Sequence, residues 1–280
     1  MTDPVDSCER LLAAATAAIG GDSPRLDAEL LLSYITGWTR TGFRAWPKRA
    51  PTPEQVSGFQ GLVRQRIEGR PVAHLLGEQE FWSLPLKVNA STLIPRPDTE
   101  CLVETALTLS LLANAQVLDL GTGTGAIALA LASERPGWRI RACDAAADAV
   151  ALATRNASEL GLRVDVRLSH WFNQLPAERY DLIVSNPPYI ASGDAHLAEG
   201  DVRFEPDTAL ISGADGLDDI RAIVSSAPAW LSKGGYLLLE HGYNQGEPVR
   251  DLLVGAGFED VETRQDYGRR DRLTLGHQPH

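Results

Sequence analysis

The chain has 280 residues, 44% hydrophobic and 22% charged, with a formal net charge of −11. These fractions fit a globular protein long enough for two domains. No apolar run reaches membrane-spanning length, and the three scattered cysteines (Cys8, Cys101, Cys143) offer neither a disulfide framework nor a metal-binding pair. The acidic first residues lack a basic-then-apolar leader pattern, so a cytoplasmic protein without a structural metal is expected, with Cys101 and Cys143 in packing roles.

Charge is unevenly spread. Residues 1–76 hold nine Lys/Arg against eight Asp/Glu, and the remainder holds 17 against 29. Phosphate neutralisation dominates nucleic-acid affinity, so the acidic remainder is poorly suited to grip DNA or RNA by itself. A basic cluster, Arg40, Arg44, Lys48 and Arg49, followed by Arg64, Arg66 and Arg70, reads either as a solvated face or as a docking surface.

Residues 7–76 read as wholly helical. An Ala/Leu-rich helix over 7–19 ends at Gly20-Gly21. Ser23-Pro24 then supplies an N-cap and a first-turn proline for a helix that stops near Gly37. Thr52-Pro53-Glu54-Gln55 is a capping box opening a helix towards Gly69, and 71–76 forms a last short turn. Around Phe81-Trp82-Ser83-Leu84-Pro85 the pattern becomes two short strands about a turn, a hairpin linker. Ile94-Pro95-Arg96-Pro97-Asp98-Thr99-Glu100 opens another helix.

Strand and helix then alternate. Strands are expected at 116–120, 138–143, 163–168, 180–185, 235–240, 261–263 and 272–275, with helices at 125–133, 146–160, 217–231 and 246–256. Repeated strand–helix units imply a mostly parallel sheet covered on both faces, and the closely joined last two strands imply an edge hairpin. The expected division is 1–76 as a helical domain, 77–92 as the hairpin linker and 93–280 as the α/β domain.

Two stretches carry chemistry. Val117-Leu118-Asp119-Leu120-Gly121-Thr122-Gly123-Thr124-Gly125 is a strand, a Gly-rich turn and a helix start, where backbone can approach a ligand closely. Asp144 ends the next strand, 23 residues after Gly121, where a carboxylate can hold two ribose hydroxyls. Such turns serve dinucleotides and S-adenosylmethionine alike. The spacing of Gly121, Gly123 and Gly125 departs from the dinucleotide pattern. The acid Asp119 would repel a pyrophosphate but could face a cationic sulfonium. The second stretch, Asn186-Pro187-Pro188-Tyr189, follows an apolar strand that two prolines must end. It leaves an amide side chain and rigid carbonyls at the strand's carboxyl end, where open α/β sheets bind ligands. That arrangement suits accepting hydrogen bonds from an –NH2 group.

The Ile94–Glu100 motif, Asp119 with the Gly121–Gly125 turn, Asn186-Pro187-Pro188-Tyr189, Arg203-Phe204-Glu205-Pro206 and Leu239-Glu240-His241-Gly242 occur in one order over essentially the whole chain. Together they resemble the peptide chain release factor N5-glutamine methyltransferases. The resemblance implies a Rossmann-like, S-adenosylmethionine-dependent methyltransferase domain with a seven-stranded sheet, preceded by a helical bundle that recognises the partner. It implies methylation of the glutamine in the Gly-Gly-Gln loop of class I peptide chain release factors, tuning translation termination and leaving S-adenosylhomocysteine. Gly121, Thr122, Gly123, Thr124, Gly125, Asp144, Trp171 and Asn186 would bind the cofactor. Asn186, Pro187, Pro188 and Tyr189 would bind the substrate, with Asn186, Pro187 and Tyr189 catalytic. The family places an acid near the adenine amino group; here that position is His170, which passes the ring contact to Trp171 or Phe172. Tyr189 would pack on the planar amide or form only a wall. Phe204 would line the glutamine pocket or pack its own loop, Glu205 and Glu240 would pair locally, and His241 has no evident partner.

Three other readings stay open. Asn-Pro-Pro-Tyr also serves adenine-N6 methyltransferases acting on DNA or RNA, the Gly-rich turn also serves dehydrogenases, and a non-enzymatic protein could hold S-adenosylmethionine as a structural ligand.

Overall fold

A computed structural model describes residues 6–198 and 200–280. The chain divides into two compact units, Met1–Glu78 with Ala198–Phe204, and Gln79–Leu197 with Glu205–His280. Residues 198–204, expected within the α/β domain, thus group with the helices.

The first unit holds α1 (Cys8–Ile19), α2 (Pro24–Thr36), α3 (Arg40–Ala45), α4 (Pro53–Ile67) and α5 (Val72–Leu76). Its core joins Leu11, Leu12, Leu31, Leu32, Phe43, Phe59 and Val63, drawn from four of the five helices. The Thr52 capping box forms in both directions: Gln55 N donates to Thr52 Oγ1 at 3.3 Å and Thr52 N donates to Gln55 Oε1 at 2.9 Å. Ser23, expected to cap α2, makes no side-chain cap bond. Helix α3 was not foreseen, because six residues containing Gly42 show no helical period; Thr39 Oγ1 caps it by accepting from Gly42 N. Part of the basic cluster is engaged internally. Arg40 and Arg25 pair with the buried Glu29, both at 2.8 Å, and the Arg49 guanidinium lies 3.6 Å from the Trp38 ring centre. Arg66 bridges Asp27 and Asp201.

The second unit starts in the hairpin β1 (Glu78–Phe81) and β2 (Leu84–Lys87), whose turn residues Trp82 and Ser83 both take positive φ, 52° and 58°. That left-handed pair matches the twist of the two strands. A single 3-10 turn over Pro97–Thr99 leads into α6 (Glu100–Thr108). Then follow β3 (Gln116–Leu120), α7 (Ala126–Glu134), β4 (Arg139–Asp144), α8 (Ala147–Leu160), β5 (Val164–Leu168), β6 (Tyr180–Ser185), α9 (Asp218–Ser226), β7 (Leu231–Glu240), α10 (Gly246–Gly255), β8 (Glu259–Gln265) and β9 (Asp271–His277). The seven strands from β3 onward lie in the order β5-β4-β3-β6-β7-β9-β8. All pairs are parallel except β7–β9 and β8–β9, so the edge hairpin is present. Strand β7 begins at Leu231, earlier than its sequence pattern suggests. The Gly234-Gly235 pair reads as a strand start, but Leu231 already pairs with Tyr180 across an irregularity in register.

Period-two alternation sorts the strands into two cores. Val117, Leu182, Val184, Leu238, Leu273 and Leu275 pack with α6 and α7, while Leu118, Leu120, Ile183, Leu237 and Leu239 pack with α9 and α10. Cys101 and Cys143 lie in these cores, where burial pushes each thiol up to about 12. Among the described residues no helix is long and apolar enough to cross a membrane.

Candidate active site

The carboxyl ends of β3, β4, β5 and β6 open onto a cavity of about 470 Å³. The strand order reverses direction between β3 and β6, because β4 and β5 fill one side of β3 and β6 onward fill the other. The loops after these strands therefore diverge there and leave a crevice.

The Gly-rich turn forms the cavity floor. Gly121, Thr122, Gly123 and Thr124 line it, whereas Gly125 stands behind as the N-cap of α7. Gly125 takes φ 87°, which side chains rarely adopt, and a Cβ there would lie 3.0 Å from Leu129 Cδ1, so conformation calls for glycine and the space beside it is tight. Asp144 lines the cavity from the end of β4; its carboxylate accepts from Gly123 N and Ala146 N, each at 2.9 Å, and so ties the turn to the start of α8.

Asp119, expected to face a ligand, does not line the cavity. Its position in β3 is on the α7 side, fully buried, where one carboxylate oxygen accepts from Thr122 Oγ1 at 2.6 Å and the other has no partner. Burial pushes this carboxyl up to about 7, against the hydrogen bond from Thr122. Its local effect is to fix the turn from below.

After β5, Ser169, His170 and Trp171 line the cavity. His170 is exposed. Phe172 is not on the wall: it is buried and stacked on Trp230, with centroids 5.2 Å apart. Trp171 holds φ 49°, its ring covers Gly121, and its Nε1 is buried without a partner; Thr92 Oγ1, also on the lining, is likewise buried without one.

Strand β6 delivers Asn186 and Pro188 to the lining, with Pro187 buried between them. Asn186 Nδ2 donates to Thr99 Oγ1 at 3.2 Å. Tyr189 is not part of the lining; its ring packs on the α9–α10 core and its hydroxyl donates to Glu240 Oε1 at 3.3 Å. Burial raises the phenol well above its ordinary value and pushes Glu240 up to about 7. Gln245 anchors the same loop by donating to the Tyr189 carbonyl at 3.0 Å. Glu205 is more than a local pair: it accepts from Ile94 N at 2.9 Å and from Arg96 at 2.8 Å, bringing two separate sequence motifs together beside the cavity. Phe204 packs under the Arg203 guanidinium in the helical unit. His241 does have partners, the Gly242 carbonyl and Thr274 Oγ1.

Two contributors escaped the sequence reading. Thr99 lies within the Ile94–Glu100 motif, whose pattern alone assigns it no role. Asn156 is a polar residue in the otherwise apolar buried stripe of α8; it joins the Thr124 carbonyl to both backbone groups of Lys87, and so fastens the Gly-rich turn to the hairpin. That misplaced polar residue was the available signal.

The chain matches two family models, the PrmC N-terminal domain over residues 9–77 and the methyltransferase small domain over residues 97–201. It is 57% identical to the release factor glutamine methyltransferase of Pseudomonas aeruginosa, over 91% of this chain and 94% of that protein. It is 52% identical to the protein of the same name from Escherichia coli K12, over 91% and 92%. Among solved structures, the catalytic domain of hMettl16 in complex with an RNA hairpin superposes with TM-score 0.58 at 19% identity, over 71% of this chain and 77% of that one. A methyltransferase from Pyrococcus furiosus gives 0.55 at 15%, over 79% and 100%. At such identities these two speak for the fold alone.

Proposed function

The chain belongs to the release factor glutamine methyltransferases, and from that premise we propose that it transfers the methyl group of S-adenosylmethionine to the N5 side-chain amide of the Gly-Gly-Gln glutamine in class I peptide chain release factors, in the cytoplasm. The observation that carries the reading is Asn186. It stands on the cavity wall at the end of β6, one end of its carboxamide held by Thr99, a few side chains from the Gly-rich turn and Asp144.

The lining fits the cofactor. The Gly121–Thr124 backbone allows close approach, Asp144 offers carboxylate lone pairs for ribose hydroxyls, and Thr92 Oγ1 and Trp171 Nε1 are buried polar atoms that the protein itself leaves unsatisfied. Trp171 rather than Phe172 or His170 is the residue for the adenine ring. Bound S-adenosylmethionine supplies an electrophilic methyl on a sulfonium.

The amide nitrogen is a weak nucleophile because its lone pair is delocalised. Asn186 Oδ1 and the Pro187 carbonyl accept its two hydrogens and hold the nitrogen in one orientation. Both bonds strengthen as positive charge develops there, so they stabilise the transition state more than the bound substrate. The alkylated amide loses its proton to water readily, and no general base is needed. Tyr189 stands outside the lining, its ring on the α9–α10 core and its hydroxyl on Glu240, so its part is to hold the loop that carries Asn186 rather than to touch the amide.

Incubation with tritiated S-adenosylmethionine and release factor tests the reading. Label should enter wild-type release factor and be lost from its Gln→Ala variant; equal labelling of both, or label on nucleic acid instead, would reject it.

A further inference from the structure

The two prolines after Asn186 have no N–H, so this stretch cannot be held through backbone donors of its own. The reaction also leaves the Pro187 carbonyl to the substrate. The stretch is held instead where it ends. Gln245 is 8% exposed and is the N-cap of α10, its N–H donating to the Gly242 carbonyl at 2.9 Å and its carbonyl accepting from Val249 N at 3.0 Å. Its side chain meets three loops. Oε1 accepts from Gly242 N at 2.8 Å, while Nε2 donates to the Tyr189 carbonyl at 3.0 Å and to the Asp215 carbonyl at 3.3 Å. A backbone N–H only donates and a carbonyl only accepts, so these partners fix which end of the carboxamide is which. Gly216 lets the loops converge: it takes φ 78°, and a Cβ there would overlap the Tyr189 carbonyl oxygen and lie 2.8 Å from Gln245 Nε2. Just beyond, Ile190 N donates to the Leu210 carbonyl at 2.8 Å and Ser212 N donates to the Ile190 carbonyl at 3.0 Å. The chain after Asn186 is thus laced to the segment that carries the wall residues Thr208, Ala209 and Ile211, and Gln245 closes the lacing at Tyr189 and Asp215.

We propose that Gln245 is a positioning residue for the methyl transfer: by pinning the Tyr189 carbonyl to the start of α10, it holds the Asn186 and Pro187 oxygens where they accept both hydrogens of the substrate amide. The inference rests on the function proposed above. Tyr189 stands two residues after Pro187, and the ring of Pro188 between them fixes φ. A shift at the Tyr189 carbonyl is therefore passed on to Pro187 rather than absorbed. Orientation is the main help this reaction receives, so a small displacement of the acceptors is felt in the rate. Gln245 lies outside the cavity lining, and the Gly-rich turn and Asp144 are carried by other strands, so the cofactor's contacts there do not depend on it.

Full-length Gln245→Met and Gln245→Glu variants are compared with wild type at pH 6 and pH 8.5, using tritiated S-adenosylmethionine and intact release factor. Turnover is counted per molecule that binds S-adenosylmethionine by calorimetry, so unfolded protein does not enter. Met keeps the length and loses the polar bonds; kcat should fall roughly tenfold at both pH values, with S-adenosylmethionine affinity within about twofold. A charged Glu keeps the bond from Gly242 N but turns an oxygen on the Tyr189 carbonyl, and at pH 8.5 its kcat should fall at least roughly tenfold. At pH 6 the buried carboxyl takes a proton, its O–H donates to the Tyr189 carbonyl, and kcat should return to within about threefold of wild type, a recovery that a merely structural role would not produce. The ionisable groups of the adjoining segments, Asp215, Glu240, His241 and Asp271, are common to variant and wild type and cancel from the ratio at each pH. Should Gln245→Met fail to fold, the near-isosteric Gln245→Glu decides by the same ratio. Wild-type turnover in Gln245→Met, S-adenosylmethionine affinity falling in step with kcat, or a Gln245→Glu deficit equal at both pH values would each overturn the positioning role alone. Failure of the wild-type enzyme to label glutamine would overturn the parent reading and this role with it.

Discussion

Replacing Glu240 by Gln should change stability in a pH-dependent way. Glu240 ends β7 with 1% exposure, and one carboxylate oxygen lacks a partner. Burial raises its carboxyl from 4.5 to about 7, opposed by the Thr99 and Tyr189 hydroxyls and by Arg272. A folded-state value above the unfolded one means that the folded protein keeps the proton longer. Stability from this group is complete below about pH 4.5, declines as the pH rises, and is lost above about 7. Linkage sets the loss at roughly 3 kcal/mol. Gln keeps the shape and an acceptor for Tyr189 but never ionises. Urea midpoints of wild type and Glu240→Gln, measured at pH 5 and pH 8, should lie close together in acid and diverge in base, with the variant more stable at pH 8. Asp119, also raised to about 7, titrates in both proteins and cancels from the difference. A variant destabilised equally at both pH values would refute the reasoning, because it would mean that Glu240 is charged throughout and valued as a partner of Arg272.

Other outcomes follow from the same geometry. Asp144→Ala removes a carboxylate that holds Gly123 N and Ala146 N, and should weaken S-adenosylmethionine binding roughly 10- to 100-fold by calorimetry. Gly125→Ala forces a side chain onto φ 87° and against Leu129, and should cost about 1–2 kcal/mol, seen as a melting temperature lower by a few degrees. Thr52→Ala removes the side-chain half of a capping box, leaving the residue-52 N–H to donate to Gln55 Oε1, and should cost about 1 kcal/mol, with faster hydrogen exchange at Gln55 N.

Much of this protein is written in short-range pattern. The capping box at Thr52 and Gln55 lies within one helical turn, the alternation of apolar residues in β3 and β6 marks buried strands, and the prolines after Asn186 must end β6 whatever surrounds them. These features depend on backbone sterics and on a few neighbours, so they can be read along the chain. The Gly-rich turn and Asp144 were legible for the same reason, being separated by one strand–helix–strand unit. Only tertiary structure decided which side chains meet. Thr99 touches Asn186 across 87 positions, Tyr189 meets Glu240 across 51, and Glu205 reaches Ile94 across 111. Asp119 looked like a ligand residue, but its place in the period-two pattern of β3 turned it towards α7; His170 and Phe172 adjoin Trp171, yet one is exposed and the other taken into the core. Hydrogen bonds act over about 3 Å in space and carry no record of distance along the chain. The residue types at the site could therefore be named from sequence, whereas the direction in which Asn186 points could not.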